Sequence, residues 1–384
     1  MSKPIILHVT SGLQVGGAER FLVGLLAEFI KHPQNQFEHR VVYFRSGPCL
    51  VELDKLGIKA DCVAGLWHTY DPVSLLKLGK LIWQLRPKYL HSQLWMANLY
   101  TRLLGKVLRI PVICSLHANY NRGYQNSDDQ FKLWLDRWTM PWVAKVVAVS
   151  PEIAQKARLD FPRLQSDQIV QISNGIKLPI TRKVFTREQV ADLSCRNFQR
   201  KLLVIGHVGR FVPVKNQALL LQALGRLRDL ERPFRAILVG YGPLEGALRQ
   251  QLQDLNLQEL VRIEYTTEVD QIYQQLDCFV LPSHQEGLSI ALLEAMSYGL
   301  PVIVTADGEH PVIQSDRNGL VCQPGSLDGL VEALDRLICD RHLCERLGRQ
   351  AEQDLRRDYQ LSEVAGRYLS LYIFCLIFWS LQLY

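Results

Sequence analysis

Pro282-Ser283-His284-Gln285-Glu286-Gly287-Leu288-Ser289-Ile290-Ala291-Leu292-Leu293-Glu294-Ala295-Met296 lies between two short apolar runs, Cys278–Leu281 and Val302–Thr305. The runs read as buried strands, and Leu288–Tyr298 reads as the helix between them. The connecting loop delivers Glu286 just before that helix. At 100° per residue, the eight residues from Glu286 to Glu294 place the two carboxylates within about 80° around the axis and about 12 Å along it. Such a pair can hold two ends of an elongated ligand but cannot share one proton. The N–H groups at Gly287–Ser289 can also face a phosphate. The plainer alternatives are a helix-terminal charge for Glu286 and a solvent-facing residue for Glu294. Glu294 nevertheless sits in the apolar run Ile290–Met296, where a carboxylate needs a partner.

The same strand–helix rhythm runs outward in both directions. Ile5–Val9, Arg40–Phe44, Val112–Leu116 and Val146–Val149 read as strands, with helices at Phe21–Ile30, Val73–Leu85, Leu94–Leu104 and Phe131–Trp138. After Asn174-Gly175 the rhythm stops, and Lys177–Arg200 is polar and mixed. It restarts with strands at Leu202–Val208 and Arg235–Val239 and helices at Gln217–Arg228 and Leu244–Leu252. The expected fold class is α/β, with two doubly wound, Rossmann-like domains facing each other across a cleft. The expected organisation is residues 1–180, a linker over 181–200, a second domain over 201–365, and an apolar tail over 366–384.

Two further loops follow strands. Gly12-Leu13-Gln14-Val15-Gly16-Gly17-Ala18-Glu19 opens a helix, and its glycines let backbone N–H groups approach a phosphate or simply make a tight turn. It is not G-x-G-x-x-G, and the second strand ends Val41-Val42-Tyr43-Phe44-Arg45 without an acidic residue for a ribose, which weighs against a nicotinamide dehydrogenase. Gly209-Arg210-Phe211-Val212-Pro213-Val214-Lys215-Asn216 carries two cations on one short loop. Fixed cations there can neutralise a diphosphate and stabilise it as a leaving group.

The composition of the 384-residue chain, 48% hydrophobic and 21% charged, fits globular domains and excludes a disordered or polytopic membrane chain. Nine scattered cysteines without C-x-x-C spacing argue against a disulfide framework or zinc site and point to a reducing, cytoplasmic setting. The start, MSKPIILHVTSG, reads as a strand and not a signal peptide. Net charge is +6, from +9 over residues 1–180 and −3 over the remainder. A basic first half attracts an anionic surface such as a membrane leaflet or a phosphorylated acceptor, or is ordinary solvated charge. Its dispersion speaks against nucleic acid. The uncharged end, Tyr368–Tyr384, has three readings: a packed terminal helix, a membrane-interface anchor, or an aberrant tail.

Taken together, these motifs resemble the retaining glycosyltransferases of family 4, which have the two-domain GT-B fold. The resemblance runs to about Tyr372. Its most specific part is the E-x7-E signature from Glu286 to Glu294, followed by Gly299-Leu300-Pro301-Val302. Gly16-Gly17-Ala18-Glu19, the run Gly209–Asn216, Val239-Gly240-Tyr241-Gly242-Pro243, Ser150-Pro151 and Asn174-Gly175 support it. The resemblance implies a hexosyltransferase that moves a sugar from a nucleotide-diphosphate sugar to an acceptor hydroxyl, in cell-surface polysaccharide or glycolipid synthesis. It implies that Arg210 and Lys215 hold the diphosphate, Glu286 the donor sugar and Glu294 the nucleotide ribose. Gly16, Gly17 and Gly209 would approach the donor, while Gly287, Leu288, Ser289 and Ile290 complete the phosphate and nucleoside pocket. His117, after the strand Val112–Leu116, matches a histidine near the sugar's C6 hydroxyl; on the residues alone it reads as a core or turn histidine.

Two stretches depart from the family pattern. Asp307-Gly308-Glu309-His310-Pro311-Val312 lacks a glutamate after its proline, and Ile263-Glu264-Tyr265-Thr266-Thr267 lacks the glycine of the base-binding turn. No Asp-x-Asp stands at a strand end, so activity is expected without a metal ion or bound cofactor. The acceptor, a saccharide, lipid-linked sugar or polyol, is expected on the first domain, where Trp67, Tyr70, Trp95, Tyr100, Arg102, Arg109, Tyr120 and Arg122 gather in sequence. Peripheral contact with the inner face of the membrane fits such an acceptor. The rival readings are a nucleotide-sugar epimerase of the same fold, which needs no acceptor, and a non-catalytic carbohydrate- or lipid-binding scaffold.

Overall fold

The computed structural model describes residues 3–14, 16–65, 71–117, 127–178, 202–284, 286–308 and 310–381. The chain divides into two compact units, Met1–Lys177 with Leu361–Tyr384, and Leu178–Gln360. The expected linker at 181–200 lies outside the described residues.

The first unit begins with β1 (Ile5–Thr10), α1 (Gly17–Lys31), β2 (Glu38–Tyr43), α2 (Cys49–Lys55), β3 (Ala60–Cys62) and α3 (Pro72–Leu85). It continues with β4 (Tyr89–Gln93), α4 (Trp95–Leu108), β5 (Val112–Leu116), α5 (Ser127–Thr139), β6 (Lys145–Ala148), α6 (Pro151–Asp160) and β7 (Ile169–Gln171). All its strand pairings are parallel, in the order β3-β2-β1-β4-β5-β6-β7. The central strands are buried along their whole length, as a sheet covered by helices on both faces requires. Helix starts follow local chemistry: the Asp71 side chain accepts from Val73 N–H beside Pro72, and Ser150 accepts from Ile153 N–H beside Pro151.

The second unit runs β8 (Leu203–Val208), α7 (Gln217–Asp229), β9 (Phe234–Val239), α8 (Glu245–Asp254), β10 (Val261–Glu264) and α9 (Val269–Tyr273). β11 (Cys278–Leu281), α10 (Ile290–Ser297), β12 (Val302–Thr305), β13 (Leu320–Cys322), α11 (Leu327–Cys339) and α12 (Arg341–Asp358) complete it. Its sheet is parallel in the order β10-β9-β8-β11-β12-β13. Leu220, Leu224, Phe234, Leu238, Leu330 and Leu334 are among its core residues.

The chain then returns. α13 (Leu361–Leu381) belongs to the first unit, so this helix is neither the end of the second domain nor a separate tail. The reason is one apolar face: Leu361, Val364, Ala365, Tyr368, Leu369, Tyr372 and Cys375 are all buried. Leu361 N–H donates to Ile176 O at 3.0 Å. Gly175 has no side chain to obstruct this approach, since a Cβ there would press on Leu361 backbone and on Val364. Tyr372 Oη meets His91 Nδ1 at 2.6 Å and Tyr368 Oη lies 3.5 Å from Ser115 Oγ, tying α13 to β4 and β5. No helix among the described residues is long and apolar enough to cross a membrane.

A buried histidine relay lies beneath it. His39 Nε2 faces the Asn35 side-chain Oδ1 at 3.1 Å, so that nitrogen carries the proton and Nδ1 is left to accept. His8 Nε2–H therefore donates to His39 Nδ1 at 3.0 Å, and the orphaned His8 Nδ1 is a bare lone pair. Burial keeps these rings neutral: it pushes His39 down to about 4 and His91 to about 3, and lowers His8 well below its ordinary value.

Candidate active site

In each sheet the strand order reverses once, between β1 and β4 in the first and between β8 and β11 in the second. Loops leaving the carboxyl ends of the two strands diverge there and open a crevice, the usual ligand position in open α/β sheets. Gly209, Arg210, Lys215, Glu286, Gly287 and Leu288 lie on the loops of the second reversal and Gly16 ends the loop after β1, whereas His117 follows β5 and Ile290 and Glu294 lie on α10.

In the second unit, the loop after β8 is pinned on three sides. Gly209 N–H donates to Val239 O at 2.9 Å, Phe211 N–H donates to Tyr241 O at 2.8 Å, and Phe211 is fully buried. Gly240 permits the close approach, because a Cβ there would run into the Gly209 carbonyl oxygen. His207 Nδ1–H donates to Val280 O at 2.9 Å, leaving Nε2 to accept from Gln217 Nε2 at 3.1 Å. The same Gln217 amide donates to Arg210 O at 2.8 Å. Burial and the nearby Lys215 charge hold His207 near about 4, so it stays neutral beside the cationic loop.

The loop after β11 is strapped to this one. His284 N–H donates to Val214 O at 2.8 Å. Lys215 Nζ donates to Glu286 Oε2, and Ser283 Oγ donates to the same oxygen at 3.2 Å. The Lys215 and Glu286 side chains are 18% and 22% exposed, so the pair spans the β8/β11 crevice with one edge open to solvent. Arg210 is exposed at the start of the first loop and makes no ion pair with a described carboxylate.

α10 begins at Ile290, so Glu286 lies in the loop and the helical spacing expected from Glu286 to Glu294 does not hold. Gly287 and Leu288 belong to the same loop, and Ser289 caps the helix in extended conformation without a side-chain bond. Glu294 is half-buried, and Tyr273 Oη donates to its Oε2 at 2.8 Å. Tyr273 is the partner that the apolar setting demanded, and it stacks on Tyr298 with centroids 5.5 Å apart.

In the first unit, Gly16 and Gly17 open α1 above the end of β1, and His117 follows β5. Gln93, the last residue of β4, joins them. Its Nε2 donates to Ala18 O at 3.3 Å, which turns its Oε1 toward His117 Nε2 at 3.2 Å. His117 therefore carries its proton on Nε2 and offers Nδ1 as an acceptor; burial lowers its pKa to about 4, so the ring is neutral.

Gln93, Tyr273, Ser283 and Gln217 were missed in the sequence. Gln93 does end a strand, and Ser283 stands two residues past one within the quoted motif, the signals that marked them. The expected acceptor surface is corrected in part. Arg102 is buried and paired with Asp136, which also takes Trp95 Nε1–H at 3.0 Å. Tyr100 is buried and donates to Asp71 O at 3.1 Å. These groups stabilise the unit from inside, while Arg109 is exposed. Trp67, Tyr70, Tyr120 and Arg122 lie outside the described residues.

Comparison with known proteins places these loops in a family. The description Glycosyl transferases group 1 matches residues 196–354, and Glycosyltransferase Family 4 matches residues 15–178. A putative glycosyltransferase, EpsF of Bacillus subtilis, is 27% identical over 312 residues, covering 79% of each chain. The Escherichia coli UDP-Gal:alpha-D-GlcNAc-diphosphoundecaprenol alpha-1,3-galactosyltransferase is 26% identical over 361 residues, 89% of this chain and 90% of its own. Among solved structures, Anabaena HepE in complex with UDP and glucose superposes with a TM-score of 0.79 at 18% identity, over 97% of this chain and 99% of that one. With two Rossmann-like units matched by both halves of the family, the chain belongs to the family 4, group 1 glycosyltransferases of GT-B fold and is a glycosyltransferase.

Proposed function

We propose that the protein moves a sugar from a nucleotide-diphosphate sugar to a hydroxyl of a saccharide or lipid-linked acceptor, with retention of configuration, in the assembly of a cell-surface polysaccharide or glycolipid at the cytoplasmic face of the membrane. The observation that carries the reading is the Lys215–Glu286 pair at the strand-order reversal of the second sheet, on the loop that also carries the exposed Arg210. A partly buried cation on the same loop as a second, exposed cation, at a strand end, suits a diphosphate. The relatives favour the same chemistry, since one is named for a UDP-galactose donor and a diphosphoundecaprenol-linked acceptor.

On this reading Arg210 and Lys215 neutralise the diphosphate as the bond between the sugar C1 and the phosphate oxygen breaks. The acceptor oxygen bonds to C1 from the face that the diphosphate leaves, and its proton passes to the departing phosphate oxygen. Glu286 exchanges Lys215 for the donor sugar hydroxyls, and Glu294, steadied by Tyr273, takes the ribose. Gly287, Leu288, Ser289 and Ile290 provide the phosphate and nucleoside pocket. To the first unit we assign Gly16 and Gly17 at the donor's phosphate, and His117 Nδ1 as the acceptor of a sugar hydroxyl proton. No metal or bound cofactor enters these steps.

A thermal-shift screen against UDP, GDP and ADP, followed by the matching sugar nucleotides with and without a lipid-linked saccharide, tests the proposal. One nucleotide raises the melting temperature, as a ligand of the folded state must. Its sugar form then yields product only with acceptor. Absence of any stabilisation, or a rearranged sugar nucleotide formed without acceptor, defeats it.

A further inference from the structure

One surface of the first unit has no place in this chemistry. Along α5, Phe131, Trp134 and Trp138 are 48%, 59% and 49% exposed. At 100° per residue the three lie within about 60° of one another, on one outward stripe. The opposite side of α5 is fixed inside: Asp136 is buried, takes Trp95 Nε1–H and pairs with buried Arg102. Phe131 and Trp134 stack near-parallel at 5.9 Å, Trp134 and Trp138 at 6.3 Å, and Trp142 meets Trp138 edge-on at 4.7 Å. The stripe is thus a rigid aromatic ridge held outward by a buried ion pair.

Beside its C-terminal half, where the end of α6 approaches, the exposed charges are cationic, while Asp128 and Asp129 stand at the start of α5. Arg137 is exposed on the same helix, and its Nε donates to Asp160 O at 3.2 Å, which brings the end of α6 alongside. Leu159 there is 73% exposed and Arg158 and Arg163 are exposed. The first unit as a whole carries 23 Lys and Arg against 14 Asp and Glu, whereas the second carries 21 against 24.

We infer that the α5 ridge docks the protein on an anionic lipid bilayer, with Phe131, Trp134 and Trp138 entering the headgroup–acyl boundary and Arg137 and its basic neighbours meeting lipid phosphates. Tryptophan prefers that boundary, and a cationic rim adds attraction to anionic headgroups. A sugar chain fits the ridge less well. A pyranose stacks on an open ring face, and Trp134 has a near-parallel ring on either side along the helix. A second copy fits less well too, because two faces of the same positive sign repel. The inference deepens the reading of a membrane-borne acceptor. Its measurement uses no sugar donor, so the two stand or fall separately.

The test is flotation of the full chain with phosphatidylcholine vesicles, with and without about one third phosphatidylglycerol. The wild-type protein floats with the anionic vesicles at low salt and less at high salt. The double substitution Trp134→Ser/Trp138→Ser lowers partitioning about tenfold or more. Trp134→Phe/Trp138→Phe retains most of it, and this variant decides the matter should the serine protein melt early. Trp83→Ser, at a 65% exposed tryptophan on α3, leaves partitioning unchanged. The inference is overturned if the wild-type protein stays unbound, if the serine variant floats like wild type, or if Trp83→Ser weakens flotation equally. It is also overturned if the serine pair instead abolishes self-association or retention on a soluble polysaccharide.

Discussion

Lys215→Met is the sharpest perturbation of the proposed site, since it keeps the stem and removes only the charge. In the resting protein Lys215 holds Glu286. At about 3 Å and an effective dielectric of about 20, the gross attraction is about 5 kcal/mol, most of it cancelled by desolvating both groups. What survives is the cost of leaving Glu286 with Ser283 as its remaining described donor, about 1–3 kcal/mol, or a few degrees of melting temperature for the second unit. The kinetic effect is larger. A fixed donor aimed at a leaving group that gains negative charge contributes about 3–4 kcal/mol to the transition state, so kcat should fall by about 10²–10³. Release of nucleoside diphosphate from the cognate sugar nucleotide, at saturating donor and acceptor, reads this directly. Should kcat remain within about threefold of wild type while the variant is folded, Lys215 does not face the departing diphosphate and the electrostatic account is wrong.

Three other predictions follow from neighbouring contacts. Tyr273→Phe removes the hydroxyl that steadies Glu294; stability should drop by about 1 kcal/mol and donor KM should rise several-fold with kcat nearly unchanged, whereas an unaltered KM would remove Glu294 from the ribose. Gln93→Glu places a carboxylate beside His117 Nε2–H, which raises the imidazole pKa from about 4 and should depress transfer on the acid side of the pH profile; a profile superimposable on wild type would detach His117 from the reaction. His8, His39, His91 and His117 are neutral when folded but bind protons below about pH 6.5 when unfolded. Stability is therefore full above that pH and is lost as pH falls toward 4, by about 3 kcal/mol for His39 alone, and calorimetry at pH 7.5 and pH 5 should show the melt move down.

The alternation of apolar runs and amphipathic helices was enough to read the doubly wound sheets, because parallel strands buried on both faces announce themselves as continuous apolar segments. β4 escaped that signal. Its inward groups His91, Ser92 and Gln93 are polar, and their partners come from β5, α1 and α13. The site loops were legible because cations and carboxylates at strand ends have little structural reason to be there. The residues that set their geometry were not: Gln93 reaches Ala18 across 75 positions, and Tyr273 reaches Glu294 across 21. Such pairings exist only once the chain has folded. Composition showed that Tyr368–Tyr384 was apolar, but not which unit would cover it.

The return of α13 bears on how the molecule is made. A ribosome delivers residues 178–360 before the helix that closes over β4 and β5, so the unit begun first is finished last. A nascent chain arrested near Gln360 would hold a finished second unit beside a first one whose apolar flank, and the histidines beneath it, still face water. Such fragments would be natural prey for chaperones and proteases, so completion of α13 doubles as a check on the first unit.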